Sequence, residues 1–214
     1  QNRLVDLERQ KAVAEKQLID AKQADEEAAL ARKAQERELA AHEAEQRRRE
    51  ELEACFKLLH DAYVSSGFMT PDPSGMRVTI YHALPTTTTL CAKIGDQVVG
   101  TLSLIRESAI GFPLQRIVDL TSVRAKRGNI AEVSALAIHP AFQGLGGMVL
   151  LPLLKFLYEY CTSLFDTRHL VIAVHPRHIE TYESLLFFRR LSGNIVPSYD
   201  FVNGAPAIGA TLDL

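Results

Sequence analysis

The sequence predicts an α/β domain, a mixed β-sheet flanked by helices, with a long charged N-terminal helix in front of it. Three observations carry that expectation. Residues 1–53 hold 11 of the 24 Lys and Arg and 14 of the 26 Asp and Glu of this 214-residue chain. The same stretch has no aromatic residue, no Gly and no Pro, so a core must be built from about residue 55 onward. Beyond it, short β-prone runs alternate with segments of helical period, an order that gives a sheet covered by helices. At roughly 100–200 residues per domain, the length allows one domain, 55–214, with the 1–54 helix as its appendage.

From Gln1 to about Ser65 strong helix formers run without a breaker. A heptad frame from Leu4 collects Leu4, Leu7, Ala14, Leu18, Ala21, Ala28 and Leu39, yet also Lys11, Asp25, Arg32 and Arg49. Glu43 with Arg47, Glu45 with Arg49, and Glu53 with Lys57 have the i,i+4 spacing that supports a solvated helix. A coiled coil that pairs the chain into a homodimer and a solvated connector both fit this pattern. The last turns differ, because Phe56, Leu58, Leu59, Ala62 and Tyr63 form an apolar face that should dock on the domain.

The helix should end near Gly67, before a loop with Pro71, Pro73 and Gly75. Strands are expected over 77–84, 88–94 and 97–105, the last two made antiparallel by a Gly95-Asp96 hairpin turn. A helix is expected over 113–125, with Leu114, Ile117, Val118 and Leu120 as its apolar set. There follow a strand at 130–138, a helix from about 147 to 165, a strand at 169–174 and a helix from about 177 to 190. Short strands near 194–199 and 207–212 close the chain.

Composition disfavours several classes of function. A net charge of −2 offers no global attraction for nucleic acid. The longest apolar run, Met148 to Leu154, is broken by Pro152 and is far shorter than the roughly 18 residues of a membrane span. Cys55, Cys91 and Cys161 are widely spaced and odd in number, with neither metal-ligand spacing nor a disulfide framework. No metal is expected, and a reducing cytoplasm fits best. The chain begins with Gln1, so a preceding segment could lie outside it.

The chemistry concentrates in two places. The run Glu132-Val-Ser-Ala-Leu-Ala-Ile-His-Pro140 leads through Ala-Phe-Gln-Gly-Leu-Gly-Gly147 into a helix. A strand that enters a helix through glycines presents unpaired backbone N–H groups and a positive dipole end, which suit the phosphate of a pantetheine-type carrier. Gln143, Gly144, Gly146 and Gly147 are the candidates for that role. The second place is His175-Pro-Arg-His-Ile-Glu-Thr-Tyr182, at a strand end and helix start. Ser134 and His139 are not a nucleophile pair, because strand parity turns them to opposite faces.

Together these elements resemble the GNAT acyltransferase superfamily. Gln143 and Gly146 match its Arg/Gln-x-x-Gly-x-Gly/Ala loop, and Tyr182 follows His175 by the seven positions of its second motif, although His175 stands where Asn is usual. Leu59-His-Asp-Ala-Tyr-Val-Ser-Ser-Gly67, Pro73-Ser-Gly-Met-Arg77, Tyr81-His-Ala-Leu-Pro85 and the run after Pro176 resemble FeeM-type N-acyl amino acid synthases over about residues 52–214. Ala135 stands where related lactone synthases carry Arg, which points away from a lactone-forming substrate.

The resemblance implies a GNAT-like fold and transfer of an acyl group, long-chain and carried on acyl carrier protein, to the amine of an amino acid. No tightly bound cofactor is expected, with acyl-phosphopantetheine as co-substrate and acyl-CoA as the alternative donor. Glu132 is then the candidate base, directly or through water, or else a structural carboxylate paired to an Arg. Tyr182 is the candidate acid for the leaving thiolate. Backbone N–H groups near Leu136 and Ile138 would receive the thioester carbonyl. His175, Arg177 and His178 would orient substrate, or the two histidines would serve as helix caps. Met148 would crowd a pyrophosphate, favouring carrier protein over coenzyme A. Arg124, Lys126 and Arg127 would dock the acidic carrier. A coenzyme A-dependent acetyltransferase and a non-catalytic acyl-binding scaffold are the alternatives.

Overall fold

The computed structural model describes residues 2–145 and 147–214, and their side chains except those of 2–8, 10, 12, 14, 18–20 and 24. The chain divides into two units, Gln1–Glu50 and Glu51–Leu214. Helix α1 is unbroken over Asn2–Ser65, as expected from a run without Gly or Pro. In the first unit nearly all described side chains are exposed. Arg49 pairs with Glu45 at 3.5 Å, and in the second unit Lys57 pairs with Glu53 at 3.8 Å. Of the heptad positions, the side chains of Leu4, Leu7, Ala14 and Leu18 lie outside the description.

The second unit is built on a mixed sheet. Strands β1 (Thr87–Ile94) and β2 (Gln97–Arg106) form the expected antiparallel hairpin. Strand β3 (Asn129–Ile138) runs antiparallel to β2 and parallel to β4 (Thr167–Val174). After β5 (Arg189–Arg190) and β6 (Val196–Tyr199), strand β7 (Ala205–Asp213) returns beside β4. The order is β1-β2-β3-β4-β7-β5, with β6 also on β7.

Alternation divides the core between two faces. Ala131 and Leu170 turn toward helix α3 (Leu150–Phe165) and helix α4 (Ile179–Leu186), where they meet Leu153, Leu157 and Phe188. Ile130 and Val171 turn the other way, to Phe112, Leu114 and Leu120. On that second face the end of α1 docks Cys55, Leu58 and Leu59 against Val98, Ala135 and Ala137, as its apolar stripe requires. Leu157 is fully buried, so its truncation to Ala should cost about 2–5 kcal/mol. Pro152 is tolerated in α3 because it stands in the first turn, where its missing N–H has no intrahelical partner.

Three segments depart from the sequence expectation. Residues 77–84 are a loop and a single 3₁₀ turn at Ile80–Ala83 rather than a strand; Val78 and Ile80 are exposed, so the alternation there marked no buried face. The expected helix over 113–125 is a 3₁₀ turn, Pro113–Arg116, and a short helix α2, Thr121–Arg124. The Asp119 carboxylate breaks it by accepting the N–H and hydroxyl of Thr121. Helix α4 stops at Leu186 instead of continuing to 190. Phe187 takes a left-handed φ of 59° and Phe188 donates its N–H to the Tyr182 carbonyl, burying the Phe188 ring and releasing Arg189 and Arg190 to pair with β7.

Candidate active site

Strands β3 and β4 part company. Their register runs from Asn129 opposite Thr167 to Glu132 opposite Val171 and ends there. Beyond that point β3 stays with β2 to Ile138, while β4 stays with β7 to Val174. A fork opens between two strands that were neighbours, and its edges are backbone.

One residue shapes the fork. Between Ala137 opposite Thr101 and Ser134 opposite Ser103, β3 spends one residue more than β2. The extra residue is a bulge at Ala135, whose φ is 55°. Before the bulge, Ala131 and Val133 face α3; after it, Leu136 and Ile138 do. His139 donates its N–H to Val99, so strand alternation turns the Ala137 N–H to β2 as well. The N–H groups of Leu136 and Ile138 consequently point into the fork. Among the described residues neither has a backbone partner on β4.

The glycine loop closes the fork's rim. Gln143 donates its side-chain amide to the Ile138 carbonyl at 2.7 Å. Gly144 and Gly147 both have left-handed φ, 74° and 77°, and a Cβ at Gly147 would meet Leu151 at 2.8 Å. Gly146 lies outside the described residues. Met148 is 63 % exposed, and an exposed thioether can swing aside, so its bulk loses force as a bar to coenzyme A.

Glu132 stands where the strands separate, on the α1 side of the sheet. It is 1 % exposed, and one carboxylate oxygen accepts the Leu114 N–H at 2.9 Å. That donor is available because Leu114 stands in the first turn of the 3₁₀ helix Pro113–Arg116, where a backbone N–H has no intrahelical partner. No Arg or Lys lies within 4.0 Å of this carboxylate among the described residues, which removes the reading of Glu132 as one half of a salt bridge. Burial pushes its pKa up to about 8, against the lowering effect of the Leu114 N–H.

Tyr182 lies across the sheet, half-buried on α4, with its ring edge-on to Phe188. Burial, with Tyr63 and Tyr158 nearby, pushes its pKa up to about 12. Tyr63, from the end of α1, packs beside Ala135 and Ala137; burial, with Glu132 adding to it, raises its pKa and keeps the phenol neutral. The sequence pattern treats Tyr63 as part of an apolar face; its place in the Leu59–Gly67 motif was the available signal. Tyr199 and Tyr81 also sense the Glu132 charge, and the buried Tyr199 hydroxyl has no hydrogen-bond partner among the described residues.

The histidines at the rim are engaged. His175 Nδ1 accepts the Arg177 N–H at 3.2 Å as a helix cap, and His178 Nε2 accepts from Arg177 Nε at 3.0 Å. Burial lowers the pKa of both, and the Arg177 charge lowers it further.

The residues expected to dock the carrier stand apart from the fork. Arg124, Lys126 and Arg127 precede the start of β3, at the end of the sheet opposite the fork. Arg124 Nε donates to Glu107 at 2.9 Å, and Lys126 donates to Asp213 at 2.8 Å, so two of the three charges are already met. Two open cavities, of about 580 and 640 Å³, also gather around Glu107 and Arg124. They contain none of the residues beyond the parting of the strands, whereas the Leu136 and Ile138 N–H groups and the buried Glu132 carboxyl belong to the fork.

Comparison with known proteins gives a consistent result. Residues 54–213 match the family model for N-acyl amino acid synthase FeeM. The solved structure of FeeM, an N-acyl amino acid synthase from uncultured soil microbes, is 26% identical, with a TM-score of 0.63 over 77% of this chain and 91% of that one. The coenzyme A-dependent acyl-homoserine lactone synthase BjaI, with S-adenosylmethionine and isopentyl-CoA, shares the fold at 22% identity and TM-score 0.58, over 76% of this chain and 75% of that one. The acyl-homoserine lactone synthase LasI does so at 17% identity and TM-score 0.56, over 76% and 82%. Curated proteins give no match.

Proposed function

The chain belongs to the FeeM family of N-acyl amino acid synthases and is an N-acyltransferase, and from that premise we propose that it moves a long-chain acyl group from an acyl carrier protein thioester to the α-amine of an amino acid. The observation that carries this reading is the fork itself: Leu136 and Ile138 N–H groups directed between two parted strands, with the raised-pKa carboxyl of Glu132 at their point of separation.

The acyl-phosphopantetheine lies along the fork, its thioester carbonyl accepting from those N–H groups. Glu132, held by Leu114, takes a proton from the substrate ammonium, directly or through one water. The free amine attacks the carbonyl carbon, and the negative charge collects on the oxygen that the backbone donors already face. As the C–S bond breaks and the carbonyl re-forms, the thiolate takes a proton from Tyr182 or from water, and the proton that the attacking nitrogen sheds to become an amide restores that donor. The pantetheine phosphate meets the Gln143–Gly147 loop. Neither Gln143 nor the glycines distinguish a carrier protein from coenzyme A, because both present the same arm.

Incubating the protein with matched acyl carrier protein and coenzyme A thioesters and an amino-acid mixture, with mass spectrometry of the products, tests the proposal. N-acyl amino acids should form, faster from the carrier. Preference for coenzyme A would overturn the donor, and absence of product from both would overturn the reaction.

A further inference from the structure

Arg77 carries a half-buried charge that no acidic side chain among the described residues neutralises. Its guanidinium lies 4.3 Å from the centre of the Tyr63 ring and 5.3 Å from that of Phe201, and Nη2 donates to the Phe201 carbonyl at 2.7 Å. Among the described residues no carboxylate stands within 4.0 Å of it, whereas Arg124, Arg168, Arg189 and Arg190 each hold an acid. Arg106 is likewise half-buried without an acid, but it rests on Phe165 and the Pro85 carbonyl at the opposite end of the sheet.

The position of Arg77 is set firmly. Its own N–H donates to the Phe56 carbonyl on α1, and the loop before it is tied by the Asp72 N–H to His60 Nε2 at 3.1 Å. Asp72 in turn accepts the N–H and hydroxyl of Ser74. From Arg77 a file of rings leads to the fork: Tyr63, then Phe68 at 5.8 Å, then His175 at 6.0 Å, the residue that follows β4. Tyr63 also packs beside Ala135 and Ala137, on the face of the sheet that carries Glu132. The guanidinium and the candidate base therefore share one side of the sheet beside the fork.

A guanidinium taken from water without a partner is costly, and an anion that fits its planar edge removes that cost. The two rings fix its plane, and Phe201 occupies one donor of five. Among the described residues the other four N–H donors have no hydrogen-bond partner, and a carboxylate can accept two of them side by side. Resting on the synthesis of N-acyl amino acids proposed above, we infer that Arg77 binds the α-carboxylate of the acceptor and so restricts acceptors to free α-amino acids, against simple amines and amino-acid esters. In an α-amino acid the amine is one carbon from the carboxylate, so anchoring one end places the nucleophile at the fork. An ester or a decarboxylated amine leaves Arg77 unpaired, which is a strong basis for rejection.

The test uses the full chain and one long-chain thioester, and compares each accepted amino acid with its methyl ester and its decarboxylated amine. Wild-type kcat/KM should favour the free acid by about 100-fold, the scale of a lost charge-assisted contact. Arg77→Gln should raise the amino-acid KM by a similar factor of about 100 and bring acid and ester within about threefold, with the thioester KM nearly unmoved. Arg77→Lys should fall between, because it keeps the charge and loses the fork geometry. Esters used as well as acids by the wild type, or discrimination preserved in Arg77→Gln, would overturn the assignment. If Arg77→Gln does not fold, Arg77→Lys decides: weaker discrimination than wild type supports the assignment, and undiminished discrimination overturns it. Acylation of acids, esters and amines alike sinks only the role of Arg77; acylation of no amine sinks the proposed reaction, and the carboxylate contact falls with it.

Discussion

Glu132 is a carboxyl whose burial has a measurable signature. A base with a pKa of about 8 is half protonated at that pH, so kcat/KM should rise with pH and level off above it. Glu132→Gln should lower turnover by about 10²–10⁴-fold and abolish that limb of the profile, because the amide cannot take the proton. Wild-type turnover in the variant would remove Glu132 from the mechanism. Stability should follow the same titration. The folded pKa lies above the ordinary carboxyl value of 4.5, so the stabilising contribution of the protonated form is complete below that value and lost as pH rises through about 8. Across that window, denaturant titrations should show wild type losing stability relative to Glu132→Gln by up to about 1.4 kcal/mol per pH unit. Tyr182→Phe should reduce kcat by less than about tenfold, since water can also protonate the thiolate; a larger loss would make Tyr182 the sole acid. Glu132 and Tyr182 could be singled out as candidates from the sequence because each holds a fixed place in a contiguous motif. Arg77 was not, because its carbonyl partner on Phe201 is 124 positions away and only the folded loop brings them together.

The bulge in β3 is the element on which the fork depends. Ala135 has φ 55°, a region where a β-branched side chain is a steric outlier. Ala135→Val should therefore cost about 1–3 kcal/mol in thermal or chemical unfolding and, by flattening the bulge, turn Leu136 and Ile138 away from the thioester. Ala135→Gly should retain both stability and activity. Equal activity of the Val and Gly variants would mean that the bulge does not set the donor geometry. The strands themselves could be read from the sequence, since 88–94, 97–105, 130–138 and 169–174 each show a two-residue period or a short apolar run. The bulge could not, because an Ala in a left-handed conformation carries no sequence mark. The failure at 113–125 has a similar cause: Leu114, Ile117 and Val118 do face the core, but Asp119 satisfies Thr121 locally and ends the helical path.

At the scale of the molecule, the change of composition near residue 54 and the boundary between compact units at Glu50 and Glu51 nearly coincide. They differ because composition registers side-chain type, whereas Glu51 already belongs to the domain through its ion pair with Lys93 at 2.7 Å. The second unit has its own core on both faces of the sheet, and the family match begins only at residue 54. A chain of residues 51–214 keeps Cys55, Leu58, Leu59 and Tyr63 on the final turns of α1, and tertiary packing can hold a helix too short to persist alone. Deleting residues 1–50 should leave one cooperative melt, a circular dichroism signal reduced by the missing helix, and kcat/KM within about threefold of the full chain, as expected for independent parts. Sedimentation of both chains separates the two readings of the helix: a dimer that becomes a monomer on deletion makes it the pairing element, and two monomers make it a connector. Loss of activity by a truncated chain that still folds would show instead that residues 1–50 contribute to acyl transfer.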